Sequence, residues 1–228
     1  MQTIPIENLS FTLIPVGLVL LILLRWKLSV AHSSYAIIRM LAQLLLVGYV
    51  LSAIFTSHSA WATLGVLLVM ILFSSWIALG TVKSSRLRLF ARALFAIASG
   101  GGLTFWIVVD PVLNLKPWFQ PRYAIPLGGM IFANTMTSIS LAAERFYAEI
   151  NNGASYVEAR NQAFNTALIP TINALLAVGL VSLPGMMTGQ ILSGVSPFIA
   201  ARYQIMVMMM IFSSAGLSTA CFLALLRR

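Results

Sequence analysis

Five carboxylates, two histidines and one cysteine are the acid–base and metal-binding groups of this 228-residue chain. They are placed badly for catalysis. An intramembrane aspartyl protease needs two acids within helices, and the one Asp, Asp110, sits at the end of an apolar run. His32 and His58 fall on either side of the second apolar run, so they do not share a metal. A rhomboid-like serine protease needs Ser and His buried together, and no histidine follows His58. The phosphate-binding signature G-x-x-x-x-G-K is absent, as is H-E-x-x-H. Cys221, alone in the last apolar run, excludes a disulfide or thiolate framework. The chain is therefore read as not an enzyme, with no cofactor of its own.

The elements that carry the remaining polar groups are membrane helices. The chain is 60% hydrophobic and 8% charged, unlike any soluble globular domain. Several runs reach the roughly 20 residues that cross about 30 Å of hydrocarbon. Seven spans are predicted: Leu9–Leu24, Ser34–Phe55, Trp61–Leu79, Leu94–Val109, Tyr123–Ala143, Thr166–Leu183 and Tyr203–Leu226. The N-terminus does not read as a signal peptide, because the positive pair Arg25 and Lys27 follows the first run. The expected fold is all-α and polytopic, one permease domain over residues 1–228, in the inner (plasma) membrane.

Charge sets the expected orientation. With the N-terminus outside, the inner side holds Arg25, Lys27, Lys83, Arg86, Arg88, Arg92, Arg145, Arg160, Arg227 and Arg228. The outer side holds only Lys116, Arg122 and Arg202. This asymmetry predicts N-out and C-in. The net charge of +9 is spread between apolar runs rather than over a polar face, which excludes a nucleic-acid partner.

No predicted span carries Asp or Glu at its middle. Proton- and ion-coupled transporters need such groups. A solute therefore moves passively here, or a partner supplies energy. Glu144–Asn165, a cytoplasmic segment in this topology, is where a partner would couple. Asn151-Asn152-Gly153 is a helix stop. Ser155 and Glu158 have capping-box spacing. Two short amphipathic helices meeting at a turn are expected, either as a solvated loop or as a coupling element.

A second feature is Pro184–Arg202, where prolines and glycines break an apolar segment. Broken backbone at membrane depth is tolerated only where protein buries it or a cavity receives it. It is expected to be re-entrant, lateral, or a pair of half-helices, and its GxxxG at Gly185–Gly189 fits close helix packing. Arg39 either snorkels to the interface or forms, with Gln43 one turn on, a polar stripe toward a pathway. Asn134, Thr135 and Ser138 either bond between helices or line a path, as do Thr171 and Asn173, next to Pro170. Met186, Met187 and the methionines of 206–210 are adaptable packing groups or soft ligands.

Ile125–Phe146 (IPLGGMIFANTMTSISLAAERF), Gly153–Ala159, Ala167–Gly194 with its LPGMMTGQ, Tyr203–Val207 and the second-span Arg39–Phe55 resemble the iron-export permease family of bacterial ABC transporters, relatives of plant aluminium-tolerance permeases. At Ser196 that family often has an acid. The resemblance implies a permease subunit, a homodimer in the bilayer, bound to a separate ATP-binding subunit that holds ATP and Mg. It implies export of iron or another metal ion, with a nucleotide sugar or other small solute, or a passive channel, as alternatives. The pathway residues expected are Arg39, Gln43, Asn134, Thr135, Asn173, Met186, Met187, Gln190 and Gln204. The ATPase-coupling residues expected are Glu144, Arg145, Gly153, Ala154, Ser155 and Glu158. No metal ligands are assigned.

Overall fold

A computed structural model describes residues 5–56, 59–82 and 85–227 of the chain. His58, Lys83 and Arg228, used above for the metal and charge arguments, lie outside the described residues. The chain divides into two units, Met1–Thr56 and Ser57–Arg228. The first unit holds α1 (Ile6–Ser10), α2 (Leu13–Arg25) and α3 (Val30–Thr56), with α2 packed on α3. Among its described residues none is buried, as expected where lipid is the solvent for apolar side chains.

The second unit is a helical bundle. It contains α4 (Ala60–Ala78), α5 (Arg86–Ala96), α6 (Gly102–Ile107), α7 (Pro121–Asn151), α8 (Tyr156–Ala177), α9 (Gly185–Leu192) and α10 (Pro197–Leu225). A π turn at Ile97–Gly101 joins α5 to α6, and another, Val108–Val112, follows α6. The two longest helices, α7 and α10, form the centre. The α7 helix packs against α4, α8 and α10, and α10 also packs against α9 and the first π turn.

Small residues let these helices approach. Ala159, Ala163 and Ala167 recur every four residues on one face of α8 and are fully buried, as are Ala142 and Ala143 of α7. The tightest approach is between the first π turn and α10. A Cβ built at Gly100 would overlap the Ser218 side chain and lie 2.6 Å from the Ser218 backbone nitrogen. At Gly128 of α7 it would lie 2.5 Å from Leu67 Cδ2. By contrast, a Cβ at Gly185 or Gly189 meets nothing within 4 Å. The expected close packing through that GxxxG is absent among the described residues, and glycine mediates it elsewhere.

Several predicted boundaries move. Residues 86–92 are the start of α5 rather than a loop. Arg86 donates to the Trp76 carbonyl through Nη2 (2.5 Å) and Nε (3.1 Å), with its guanidinium 3.8 Å above the Trp76 ring. Proline at the first position of a helix is preorganised for it, so the last helix begins at Pro197 rather than at Tyr203. Arg39 lies more than two turns inside α3, which starts at Val30. Among the described residues, six helical stretches are long and apolar enough to cross a bilayer: Glu7–Arg25, Val30–Tyr49, Ala60–Ala78, Arg86–Val112, Pro121–Asn151 and Pro197–Leu225. The remaining predicted span, Thr166–Leu183, falls partly in α8, whose first half is polar.

Candidate functional site

Two regions of the second unit hold most of the expected site residues. The first is the turn between α7 and α8. The expected short helices are instead the ends of two long ones. Helix α7 closes in a Schellman motif: Ala154 N–H donates to the Glu149 carbonyl (3.0 Å) and Gly153 N–H to that of Ile150 (3.0 Å). Gly153 takes φ +87°, a left-handed conformation that a side chain would strain. Two residues later Ser155 caps α8. Glu158 N–H donates to Ser155 Oγ at 3.3 Å, and Ser155 N–H returns to Glu158 Oε2 at 3.0 Å. The Ser155 hydroxyl also donates to that carboxylate, at 2.8 Å. The backbone bond from Ser155, then the hydroxyl bond, hold the exposed Glu158 carboxyl below its usual range. Arg145 pairs with Glu149 one turn on, at 2.6 Å. Glu144, Gly153, Ser155 and Glu158 are exposed, and Ala154 is half-buried.

The second region is the broken segment. Helix α8 stops where Val178 becomes extended and Gly179 turns left-handed, with Gly179 N–H bonded to the Ser182 carbonyl at 2.9 Å. Helix α9 ends in its own Schellman motif at Gly194. Eight residues rise about 12 Å, less than half the hydrocarbon thickness, so α9 alone does not cross it. Among α8, α9 and α10 lies a cleft of about 320 Å³. Met187 and Gln204 meet there, with Met208, Met209 and Gly179. Gln204 is 5% exposed, and its Oε1 is buried with no hydrogen-bond donor, as is Gln190 Oε1. An unmatched buried amide oxygen costs about 1–3 kcal/mol, so these two acceptors are notable.

Other expected residues stand apart from both regions. Asn134 and Thr135 turn back on their own helix, donating to the carbonyls of Met130 (2.8 Å) and Ile131 (2.7 Å). The expected bonding between helices is thus replaced by bonding within α7. Asn173 is exposed on α8, and Thr171 is buried. Met186 is exposed, whereas Met208 and Met210 are buried and the intervening Met209 is 62% exposed. Consecutive methionines pointing in different directions serve packing rather than one ligand cage. Arg39, half-buried, and Gln43, exposed, lie one turn apart on α3 of the first unit. Among the described residues no three His, Cys, Asp or Glu side chains gather as a metal site.

One polar cluster escaped sequence reasoning. Ser214, Ser218 and Thr219 of α10 are fully buried, and the hydroxyls of Ser218 and Thr219 have no partner. The signal was Ser214-x-x-x-Ser218 in α10 and the Gly100-Gly101-Gly102 run, whose Gly100 meets Ser218, a small-residue pairing split across distant segments.

These features define a polytopic, all-helical membrane protein with a tightly capped helical hairpin at one end and a broken helix lining a cleft at the other. The chain belongs to the family described as Uncharacterised protein family (UPF0014), whose model matches residues 6–228. It is 34% identical to the "Probable iron export permease protein FetB" of Escherichia coli (strain K12), over 95% of this chain and 89% of that one. It is also 34% identical to a UPF0014 membrane protein of Synechocystis sp., over 79% of this chain and 76% of the relative. Protein ALUMINUM SENSITIVE 3 of Arabidopsis thaliana is 33% identical, over 81% and 72%. No solved structure matches the chain significantly.

Proposed function

We propose that this chain is the permease subunit of an ATP-driven exporter in the plasma membrane. It works as a homodimer with a separate ATP-binding subunit and exports iron or another metal ion from the cytoplasm. The observation that carries the reading is the α7–α8 hairpin. Its turn is locked by a Schellman motif and a capping box, and its two helices are zipped by fully buried alanines. A displacement at Gly153–Glu158 is therefore passed along α8 to the cleft beside α9 instead of being absorbed locally. Glu144, Arg145, Gly153, Ala154, Ser155 and Glu158 form the surface on which the ATP-binding subunit acts. That subunit holds ATP and Mg²⁺, and this chain performs no hydrolysis. Met186, Met187, Gln190 and Gln204, with Asn134, Thr135, Asn173, Arg39 and Gln43, are assigned to the pathway. The metal reading draws on the iron-export name of the Escherichia coli relative.

The test is reconstitution of the chain in proteoliposomes with and without its co-purifying ATP-binding subunit. Uptake of iron, manganese, copper, aluminium and nucleotide sugars is compared with and without ATP. ATP-dependent movement of a metal supports the reading. Transport by this chain alone, or purification with no ATP-binding partner, overturns it in favour of a passive facilitator.

A further inference from the structure

Beside the hairpin lies a groove of about 630 Å³ between the first half of α8 and the last turns of α10. Its α8 wall is polar, with Arg160, Asn161 and Asn165, and Arg227 stands at the end of α10. The opposing floor is Ala220 and Ala224, one turn apart, whose small side chains leave the recess open. Tyr156 Oη donates to the Leu223 carbonyl at 2.8 Å, which fixes the two walls to each other.

The groove holds two guanidiniums and no carboxylate. The nearby acids are engaged elsewhere: Glu158 faces Ser155, and Glu149 pairs with Arg145. Arg160 donates from Nε (3.1 Å) and Nη2 (2.9 Å) to Asn161 Oδ1, a neutral acceptor that orients the guanidinium without cancelling its charge. This lining suits an anionic occupant. The apolar floor belongs to a helix long and apolar enough to span the bilayer, which suits an occupant that carries hydrocarbon as well as charge.

We infer that this groove binds the phosphate headgroup of an anionic phospholipid, with the glycerol and the first acyl methylenes lying along Ala220 and Ala224. Basic recesses between membrane helices select anionic lipids in this way. The inference does not depend on the transport reading.

The full-length chain, purified in mild detergent, is titrated with phosphatidylglycerol, with phosphatidylcholine and with inorganic phosphate. Bound lipid is counted by native mass spectrometry, and the melting temperature is followed in parallel. Phosphatidylglycerol is expected to be retained and to raise the melting temperature, while phosphatidylcholine does neither. Each arginine near an anionic headgroup supports roughly a factor of five in affinity, so R160Q/R227Q should bind about 25-fold more weakly. R160K/R227K, which keeps the charge, should retain most binding. If the double variant fails to fold, R227Q alone, at an exposed helix end, carries the comparison, with about a five-fold loss expected. Equal retention of phosphatidylcholine, unchanged binding by the glutamine variants, or equal protection by phosphate alone each overturns the inference. Absence of any lipid preference does so too, and would reassign the groove to an acidic segment of a protein partner.

Discussion

Ser155 and Glu158 satisfy donors that would otherwise be left open at the start of α8, and they do it with a charge. Because the fold holds the Glu158 carboxyl below its usual range, its ionised form is favoured in the folded state. Its contribution is fully present above the unfolded value and is lost as pH falls through the folded one. Hydrogen exchange at the first amides of α8 should accelerate as pH drops below the ordinary carboxylate value, once corrected for intrinsic rates. Glu158→Gln, which keeps an acceptor but cannot ionise, should show no such dependence. Ser155→Ala should weaken this turn by about 1 kcal/mol at neutral pH. Exchange protection unchanged in the alanine variant would mean that the capping box does not hold the turn. This pair was legible in the sequence because a cap is a local pattern of fixed spacing. The partners of Asn134 and Thr135 were not. Sequence alone does not say whether a polar side chain in a membrane helix bonds across to a neighbour or back to its own carbonyl.

At the scale of elements, glycine and alanine decide how closely the helices meet. A methyl at Gly100 has nowhere to go, because the Ser218 backbone as well as its side chain is in the way. Gly100→Ala should force the π turn away from α10 and destabilise the protein by about 1–3 kcal/mol. Gly189→Ala, where nothing lies within 4 Å, should leave the isolated chain within about 0.5 kcal/mol of wild type. Thermal unfolding in one detergent compares the two, and a larger loss for Gly189→Ala would contradict the packing described. Ala163→Leu should push α8 from the helices packed on it, α7 and α10, at a similar cost of about 1–3 kcal/mol. The broken segment was readable from Pro184, Pro197 and the glycines, since these residues act on the backbone wherever they stand. The GxxxG was misread for the opposite reason: its meaning depends on what faces it, and among the described residues nothing lies within 4 Å of a Cβ at either glycine. The continuity of α7 through the Glu144–Asn151 stretch was hidden by polarity. A hydropathy window ends a span where charges begin, but a helix with favourable propensity and an Arg145–Glu149 pair runs on into water.

For the whole molecule, the open quantity is the number of crossings, and the geometry of α8 argues for counting it. Tyr156 bonds to Leu223, near the end of α10. At the other end Leu175 and Val178 share a cleft with Ala201 and Gln204, near its start. Helix α8 therefore runs antiparallel to α10 over nearly the same depth. Its 22 residues rise about 33 Å, enough to cross about 30 Å of hydrocarbon although its first half is polar. The polar half is sheltered on one side by α7 and α10, through Ala159, Ala163 and the Tyr156 bond, which lowers the cost of its amides and charges at depth. If α8 crosses, the turn at Gly153 and the end of α10 lie on one side, and Ser193 on the other. Single cysteines placed at 152, where the backbone accepts any side chain, 193 and 227 in a Cys221→Ser background test this with a membrane-impermeant thiol reagent on oriented vesicles. Positions 152 and 227 should react from the same side, expected to be the cytoplasmic one by the charge asymmetry, and 193 only from the opposite side. Labelling of 152 and 193 from a common side would reduce α8 to a surface helix and return the count to six.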